Sequence, residues 1–219
     1  MEFRVLDGVK VQRPSFDVED LAAESGPLKG DFDLDLVHLS GVDQAAVSGE
    51  GTLSHSLVES VKLAGARLAP LTLSDVTVRN VDLSNAVLSD TTARRAEFTK
   101  CRAIGLNLGL VHAADLYVEA TQFDYASVRF GKVKNSAVFV GCTFREAVLS
   151  GDLSNVVFAD CDFAGAEFEA IRAGACDLRG SRLAGARGLL TLRGALITTE
   201  QALSVATTLA VESGLSIVD

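Results

Sequence analysis

Cys142 and Cys161 are the residues whose types and spacing most suggest chemistry. Both occupy the same inward position on successive turns of a repeating hydrophobic pattern, described below. Two such thiols could form a disulfide, bind a metal ion or fill space as small apolar side chains. A buried column without a nearby histidine disfavours zinc, which usually takes four nitrogen or sulfur ligands. Because free cysteine is among the most buried residue types, we favour core packing over a disulfide, and a disulfide over a metal.

The other candidates for catalysis form no recognisable motif. Gly131-Lys132 lacks the upstream glycine of a phosphate-binding loop, and no G-x-G-x-x-G follows a predicted strand. His38, His55 and His112 lie in unrelated settings, without a nucleophile elbow or an H-E-x-x-H sequence. We therefore expect that the chain is not an enzyme and has no catalytic residue, no cofactor and no metal site.

The elements that position these residues follow a period of five. The stretch FADCDFAGAEF places Phe158, Phe163 and Phe168 five residues apart, which matches neither a helix nor a flat strand. The same spacing carries apolar residues from Leu53 to Leu183, with one residue gained and later one lost. Gly, Asn and Asp dominate two positions later, and these residues tolerate the positive φ of many tight turns. The pattern predicts a square coil with inward side chains on each side and a turn at each corner.

Grouping the central residues by twenty sorts the side chains by size. One inward column is large and apolar, and the column beneath it is nearly pure alanine: Ala66, Ala86, Leu106, Ala126, Ala147, Ala166 and Ala186. Fixed-period repeats of this kind indicate a solenoid. The columns predict that successive coils stack in register.

The repeated unit resembles that of a known family. Stretches such as AEFTK, ADLYV, CDFAG, AEFEA and CDLRG are similar to the A(D/N)LXX unit of pentapeptide-repeat proteins, over roughly residues 51–188. The resemblance implies an all-β fold, a right-handed quadrilateral β-helix of about seven coils of about 20 residues. With strands about 4.8 Å apart, the rod would be about 34 Å long.

Both ends of a solenoid need caps. We divide the chain into an acidic N-terminal segment (residues 1–50), the repeat body (51–190) and a C-terminal helical cap (191–219). The first segment suggests a hairpin turning at Asp7-Gly8 and an irregular first coil. In the last, Thr198 and Gln201 form a predicted capping box and Gly214 a helix stop. This helix would close the last coil or mediate a dimer contact.

Composition limits the location of the chain. No window approaches 18 uninterrupted apolar residues, so we expect no membrane span. The N-terminal stretch MEFRVLDGVKVQ carries charges within its apolar residues, unlike a signal peptide. We predict a cytoplasmic protein with reduced cysteines.

Charge separates two hypotheses about function. The first is a non-catalytic interaction or scaffold module for an unknown protein partner. The alternative is implied by resemblance to the quinolone-resistance branch of the family, whose members mimic duplex DNA and bind DNA gyrase. Residues 1–50 hold 11 acidic and four basic residues, whereas residues 51–190 hold 15 of each. Because the coil body has neither an acidic nor a basic stripe, we rank the DNA mimic second and expect no direct binding of nucleic acid.

One neighbourhood of predicted corner and outward positions is apolar. It comprises Val87, Ile104, Leu110, Tyr125, Phe130 and Val148. A contiguous exposed patch of this kind often marks an interface, here either a homodimer contact or a partner-binding surface. The alternative is that a local irregularity of register turns Leu110 and Phe130 inward, or that a terminal segment covers them.

Overall fold

The computed structural model describes residues 2–24 and 26–218, and most of them form one parallel β-solenoid. Long strands, one for each middle coil, stack in parallel with their neighbours. Shorter strands complete the first and last coils. The solenoid strands are β3 Ala22–Glu24, β4 Gly30–Asp35, β5 Val37–Ser40, β6 Ser48–Glu59, β7 Arg67–Arg79, β8 Val87–Thr99, β9 Asn107–Glu119, β10 Ser127–Val140, β11 Val148–Asp152, β12 Val156–Ala159 and β13 Glu167–Arg172.

The five-residue period builds the predicted coils. A row of isolated bridges connects one outward position through seven successive steps, from Asp43 to Arg182, so the solenoid has about seven turns. Corner residues take the left-handed backbone conformation that Asn, Asp and Gly favour, as at Asp75 (φ 57°), Asn80 (φ 51°) and Asn85 (φ 55°). The predicted fold is therefore confirmed.

Stacked phenylalanines fill the core of the later coils. The rings of Phe123 and Phe144 are parallel with centroids 5.0 Å apart, and Phe144 and Phe163 repeat this at 5.1 Å. A second stack joins Phe139 to Phe158 at 5.2 Å. Because the strands are in register, each ring lies above the equivalent ring of the previous coil.

One corner of the coil corrects the placement of Leu110 and Phe130, because neither residue has the positive φ of the corners at Gly105, Asp115 and Ala120. Strands β9 and β10 continue through this corner, so Leu110 lies on the same side of its strand as Leu108, and Phe130 on the same side as Val128. Leu110 pairs with Phe130 in the ladder, and the register shifts nearby. Both side chains are buried in the core. The prediction that they face outward is wrong, and the inward alternative is right.

An N-terminal arm, residues 2–21, lies outside the coils. Strands β1 (Phe3–Leu6) and β2 (Val9–Gln12) form an antiparallel hairpin around Asp7 and Gly8, which both have positive φ. A short 3-10 helix, Val18–Asp20, follows, and the chain then enters the solenoid at β3. Sequence patterns predicted the hairpin but not where it docks.

The C-terminal segment closes the last coil with two short helices rather than one. They are α1 (Thr199–Ser204) and α2 (Ala206–Glu212), separated at Val205, whose side chain is buried against the core. The capping box of Thr198 and Gln201 is present, and the Gln201 amide also donates to the carbonyls of Leu178 and Ser181. Glu212 accepts from the Gly188 and Leu190 amides, which fixes α2 to a second 3-10 helix, Leu189–Thr191. None of the described helices has the length and apolar character needed to cross a membrane.

Candidate interaction surfaces

The cysteines are packing residues of the core. Cys101, Cys142, Cys161 and Cys176 are all buried and all free. Burial raises the pKa of the Cys101 thiol to about 11 and that of Cys176 to about 12. The neighbouring Cys142 thiol and burial together raise the pKa of Cys161. Because the reactive form is the thiolate, Cys101, Cys161 and Cys176 are poorly suited to nucleophilic chemistry, whereas the hydrogen bond with Cys161 lowers the pKa of the buried Cys142 thiol.

The three histidines lie apart from one another. His55 Nδ1 is 2.8 Å from Asp35, and its Nε2 is 3.8 Å from Asp75. His38 lies 3.7 Å from Glu59, and His112 is exposed. Within residues 2–24 and 26–218, no three His, Cys, Asp or Glu side chains are grouped so as to hold a metal ion. The features that remain as candidates are therefore the outer faces of the coils.

Three of the four outer faces of the solenoid differ in how their side chains are used. The covered face carries the row Leu57, Thr77, Glu97, Tyr117 and Val138. The paired face carries the row Asp43, Lys62, Asp82, Arg102, Gln122, Thr143, Asp162 and Arg182. The open face carries the row Asp33, Thr52, Thr72, Thr92, His112 and Lys132.

The N-terminal arm binds the covered face through a buried carboxylate. Glu97 is only 2% exposed and accepts hydrogen bonds of 2.9 Å from the Nε atoms of both Arg4 and Arg13. The Arg4 guanidinium also lies 4.3 Å from the centre of the Tyr117 ring. Val11 packs with Tyr117 and Val138 in a small apolar cluster. These contacts join residues more than 80 positions apart in the sequence.

Two opposing effects set the pKa of Glu97. Burial raises it, while the hydrogen bonds and charges of Arg4 and Arg13 lower it, and the net result is a pKa below the ordinary value. Glu97 is therefore ionised at neutral pH and paired with both arginines. The arm is held further by Asp115, which accepts from the Gln12 amide, and by Asp75, which accepts from the Ser15 amide.

On the paired face, several opposite charges contact each other within the chain. Lys62 lies 3.4 Å from Asp43 on the preceding coil. Asp162 accepts from Arg182 at 2.9 Å and from Arg145 at 2.7 Å. The hydrogen bond from Arg182 is the largest cause that lowers the pKa of Asp162 to about 2. Alternating signs thus produce ion pairs at the two ends of this row, while Asp82 and Arg102 in its middle form none among the described residues.

On the open face, acidic side chains lie at one end of the row and basic side chains lie towards the other. Its acidic end, Asp31 and Asp33, is exposed on β4. Its middle is a ladder of hydroxyl side chains: Thr52, Thr72, Thr92, Ser54 and Ser74. Its basic segment lines a shallow groove of about 290 Å³ and consists of Arg94, His112, Lys132 and Lys134. Among the described residues, no ion pair is formed by the side chains of the acidic end or the basic segment. Further along, Arg172 and Asp152 lie 3.8 Å apart.

The remaining residues of the predicted apolar patch lie around another corner. Tyr125 is 68% exposed, and Val87, Ile104 and Val148 are half-buried. With Leu110 and Phe130 in the core, these four side chains are what the surface retains of the patch. Their role as an interface stays a prediction.

The covered face was not predicted from the sequence, although its outward positions carry an unusual apolar pattern. Leu57, Tyr117 and Val138 occupy outward positions, where a solvated face would be polar. An apolar row at outward positions indicates that another segment covers it. The arginines that complete this face come from the arm, and no local pattern connects them to Glu97.

The repeats match a family model once their geometry is known. Residues 73–108 match the family described as pentapeptide repeats, in eight copies. These residues span the end of β7, all of β8 and the start of β9. No curated protein sequence matches the chain.

Two solved structures are similar to the chain. One is QnrB1, a plasmid-mediated fluoroquinolone resistance protein. Its sequence is 19% identical, the match covers 89% of this chain and 100% of QnrB1, and the TM-score is 0.48. Another is HetL, a pentapeptide-repeat protein involved in heterocyst differentiation regulation in Nostoc sp. strain PCC 7120. Its sequence is 15% identical, the match covers 77% of this chain and 87% of HetL, and the TM-score is 0.26.

Proposed function

We propose that this pentapeptide-repeat chain is a non-catalytic interaction module whose open face binds a protein partner. The observation that carries the proposal is the contrast in ion pairing between faces. On the paired face, Lys62 contacts Asp43 and Arg182 contacts Asp162, whereas the charges of the acidic end and the basic segment form no ion pair among the described residues. Charged groups left without partners on a rigid, flat ladder are available to a complementary surface.

The chemistry of the open face favours a protein over a nucleic acid. Arg94, Lys132 and Lys134 would attract carboxylates or phosphates, but Asp31 and Asp33 on the same face would repel a phosphate backbone. The net charge of −9 opposes it further. A partner with a mixed or acidic protein surface fits better. The buried free thiols fit a reducing compartment, which supports a cytoplasmic location.

The DNA mimic that binds DNA gyrase is the second candidate. The observation that favours it is the concentration of exposed acidic residues at one end of the molecule, where Asp17, Glu19 and Asp20 add to Asp31 and Asp33. Against it, the paired face alternates in sign instead of forming a continuous acidic stripe. A gyrase supercoiling assay tests this candidate. Inhibition that is lost in Asp17→Asn/Glu19→Gln/Asp20→Asn would support it, and the absence of inhibition by the wild type would remove it.

The proposed open-face function is tested by cross-linking in the source cells. We expect Lys132→Glu/Lys134→Glu to lose a cross-linked product that the wild type gives. Lys100→Glu/Arg102→Glu is the matched control, since it reverses two exposed positive charges on other surfaces of the solenoid. Equal products from both variants would contradict the role of the open face.

A further inference from the structure

We infer that the basic segment of the open face binds a phosphorylated side chain on an extended segment of the partner protein. The inference rests on the proposed open-face function and names the chemistry of its partner. The groove of about 290 Å³ is lined by the four residues of the basic segment, one threonine and three alanines. None of these described lining residues is acidic, so the groove concentrates positive charge.

Ala114 forms the floor of this site. It lies between Arg94 and Lys134, its ladder partners on the coils before and after it, whose backbones are therefore about 10 Å apart. His112 precedes Ala114 by two residues on the same strand and faces outward beside it, with Lys132 on the next coil. Because the alanine side chain is short, an anion resting on it can be reached from three sides by Arg94, Lys134 and His112.

The cationic side chains of the site are free to bind an anion. Among the described residues, Arg94, Lys132 and Lys134 form no ion pair and no side-chain hydrogen bond. Asp115, at the adjoining corner, is engaged by the arm and by a neighbouring asparagine. Asp152, on the following coil, lies 3.8 Å from an arginine further along. Neither carboxylate is paired with the three cations.

The number of donors favours a phosphate over a single carboxylate. Three positive charges and one imidazole ring surround a small site, and a carboxylate would neutralise only one of those charges. A phosphorylated side chain carries a charge of about −1.5 to −2 at neutral pH and three acceptor oxygens. The guanidinium of Arg94 can bind two of those oxygens at once.

The rest of the open face specifies the segment that carries the phosphate. Four ladder steps, about 19 Å, separate His112 from Asp33 at the acidic end. An extended peptide covers that length with about six residues. The threonine hydroxyls between these two residues can hydrogen-bond to its backbone, and the acidic end would attract lysine or arginine. We therefore expect the phosphorylated residue and the basic residues of the partner about six positions apart.

Fluorescence anisotropy with synthetic peptides tests the inference. The probe is a labelled peptide with one serine and two lysines about six positions away, made in both orders, with the serine free, phosphorylated or replaced by glutamate. In the better order, we expect the phosphorylated form to bind about tenfold more tightly than the other two, as for one added hydrogen bond to a charged group. Asp31→Asn/Asp33→Asn, or moving the lysines next to the phosphoserine, should weaken binding about threefold, as for an exposed ion pair.

Matched variants locate the site of binding. Arg94→Gln/Lys134→Gln keeps polar side chains but removes both charges, and it should weaken binding of the phosphorylated peptide about tenfold or more. Ala114→Glu places a carboxylate on the floor and should have the same effect. Lys100→Gln/Arg102→Gln removes two exposed positive charges on other surfaces and should bind the peptide like the wild type.

The outcomes separate this inference from the proposed function. A phosphorylated peptide that binds no better than the serine form, or that binds Arg94→Gln/Lys134→Gln as tightly as the wild type, overturns the inference. So does inorganic phosphate that competes at the concentration of the peptide, because the segment then adds nothing, or single-stranded DNA that binds the groove more tightly. If the peptides fail while Lys132→Glu/Lys134→Glu still loses its cross-linked product, the partner presents carboxylates and only the inference about phosphate fails. A cross-linked product that this variant leaves unchanged contradicts the proposed function instead.

Discussion

The covered face and the open face are made from the same coils but differ in the burial and pairing of their charged side chains. On the covered face, Glu97 is buried and bound by two arginines that come from the arm. On the open face, Lys132 and Lys134 are exposed and have no ionic partner among the described residues. A buried charge without partners would be strongly unfavourable, whereas an exposed one is solvated by water.

This difference separates charges that support the structure from charges available for binding. Removing a partner of Glu97 should cost stability, because the carboxylate lies beneath the arm and depends on it. Changing an open-face lysine should cost almost none and should instead alter association.

The largest effect is expected from Arg4→Met/Arg13→Met. The substitution leaves Glu97 buried without a positive partner, and breaking a buried ion pair costs about 3–5 kcal/mol. Because both arginines are about one-third exposed, we expect about 2–3 kcal/mol, which would detach the arm. Native-state hydrogen exchange of the β1 and β2 amides measures this loss. Arg67→Met/Arg79→Met is the control, and equal protection in both variants would show that Glu97 does not hold the arm.

A smaller effect is expected from Glu97→Gln. The amide can still accept hydrogen bonds from Arg4 and Arg13 but carries no charge, and a hydrogen bond to a charged group is worth about 1.5–3 kcal/mol. Since part of each bond remains, we expect arm docking to weaken by about 1–2 kcal/mol. The same exchange measurement applies. If the β1 and β2 amides were protected from exchange as well as in the wild type, the free energy of arm docking would come from the apolar cluster around Val11 instead.

The pH dependence of arm docking follows from the same carboxylate. The pKa of Glu97 is lower when the arm is docked than in the unfolded chain, so its contribution is complete above the unfolded pKa of about 4.3. It is lost as the pH falls through the lower folded value. Backbone amide NMR shifts of the hairpin should therefore stay constant from neutral pH to about pH 5 and change below about pH 4. Glu97→Gln should lack the part of this transition that Glu97 causes; an identical profile would assign it to other acids.

The smallest effect is expected on the open face. Lys132→Ala/Lys134→Ala removes two exposed side chains without an ionic partner in the described structure, so unfolding in urea should change by no more than about 0.5 kcal/mol. A loss as large as that of Arg4→Met/Arg13→Met would show that both faces carry structural charges, and the contrast between them would disappear.

Much of the solenoid could be predicted because its signals are local. Each central residue of the five-residue unit turns inward, and the next copy lies one coil away, so Phe144 and Phe163 stack as their spacing indicates. The capping box at Thr198 and Gln201 and the turn at Asp7-Gly8 also depend on residues near each other in the sequence. The interruption of the C-terminal helix at Val205 was not predicted, because it accompanies burial of that side chain against the last coil.

The sequence by itself determined the coil, its register and the separation of acidic from neutral segments, because these follow from a period and a composition. Only the tertiary structure decided that the corner at Leu110 and Phe130 turns inward, where strands β9 and β10 continue through the corner and keep the alternation of side chains. It also decided which face the arm covers. Arg4 and Arg13 meet Glu97 across more than 80 residues, and a contact of that range depends on how the coils stack, which no short pattern of residues encodes.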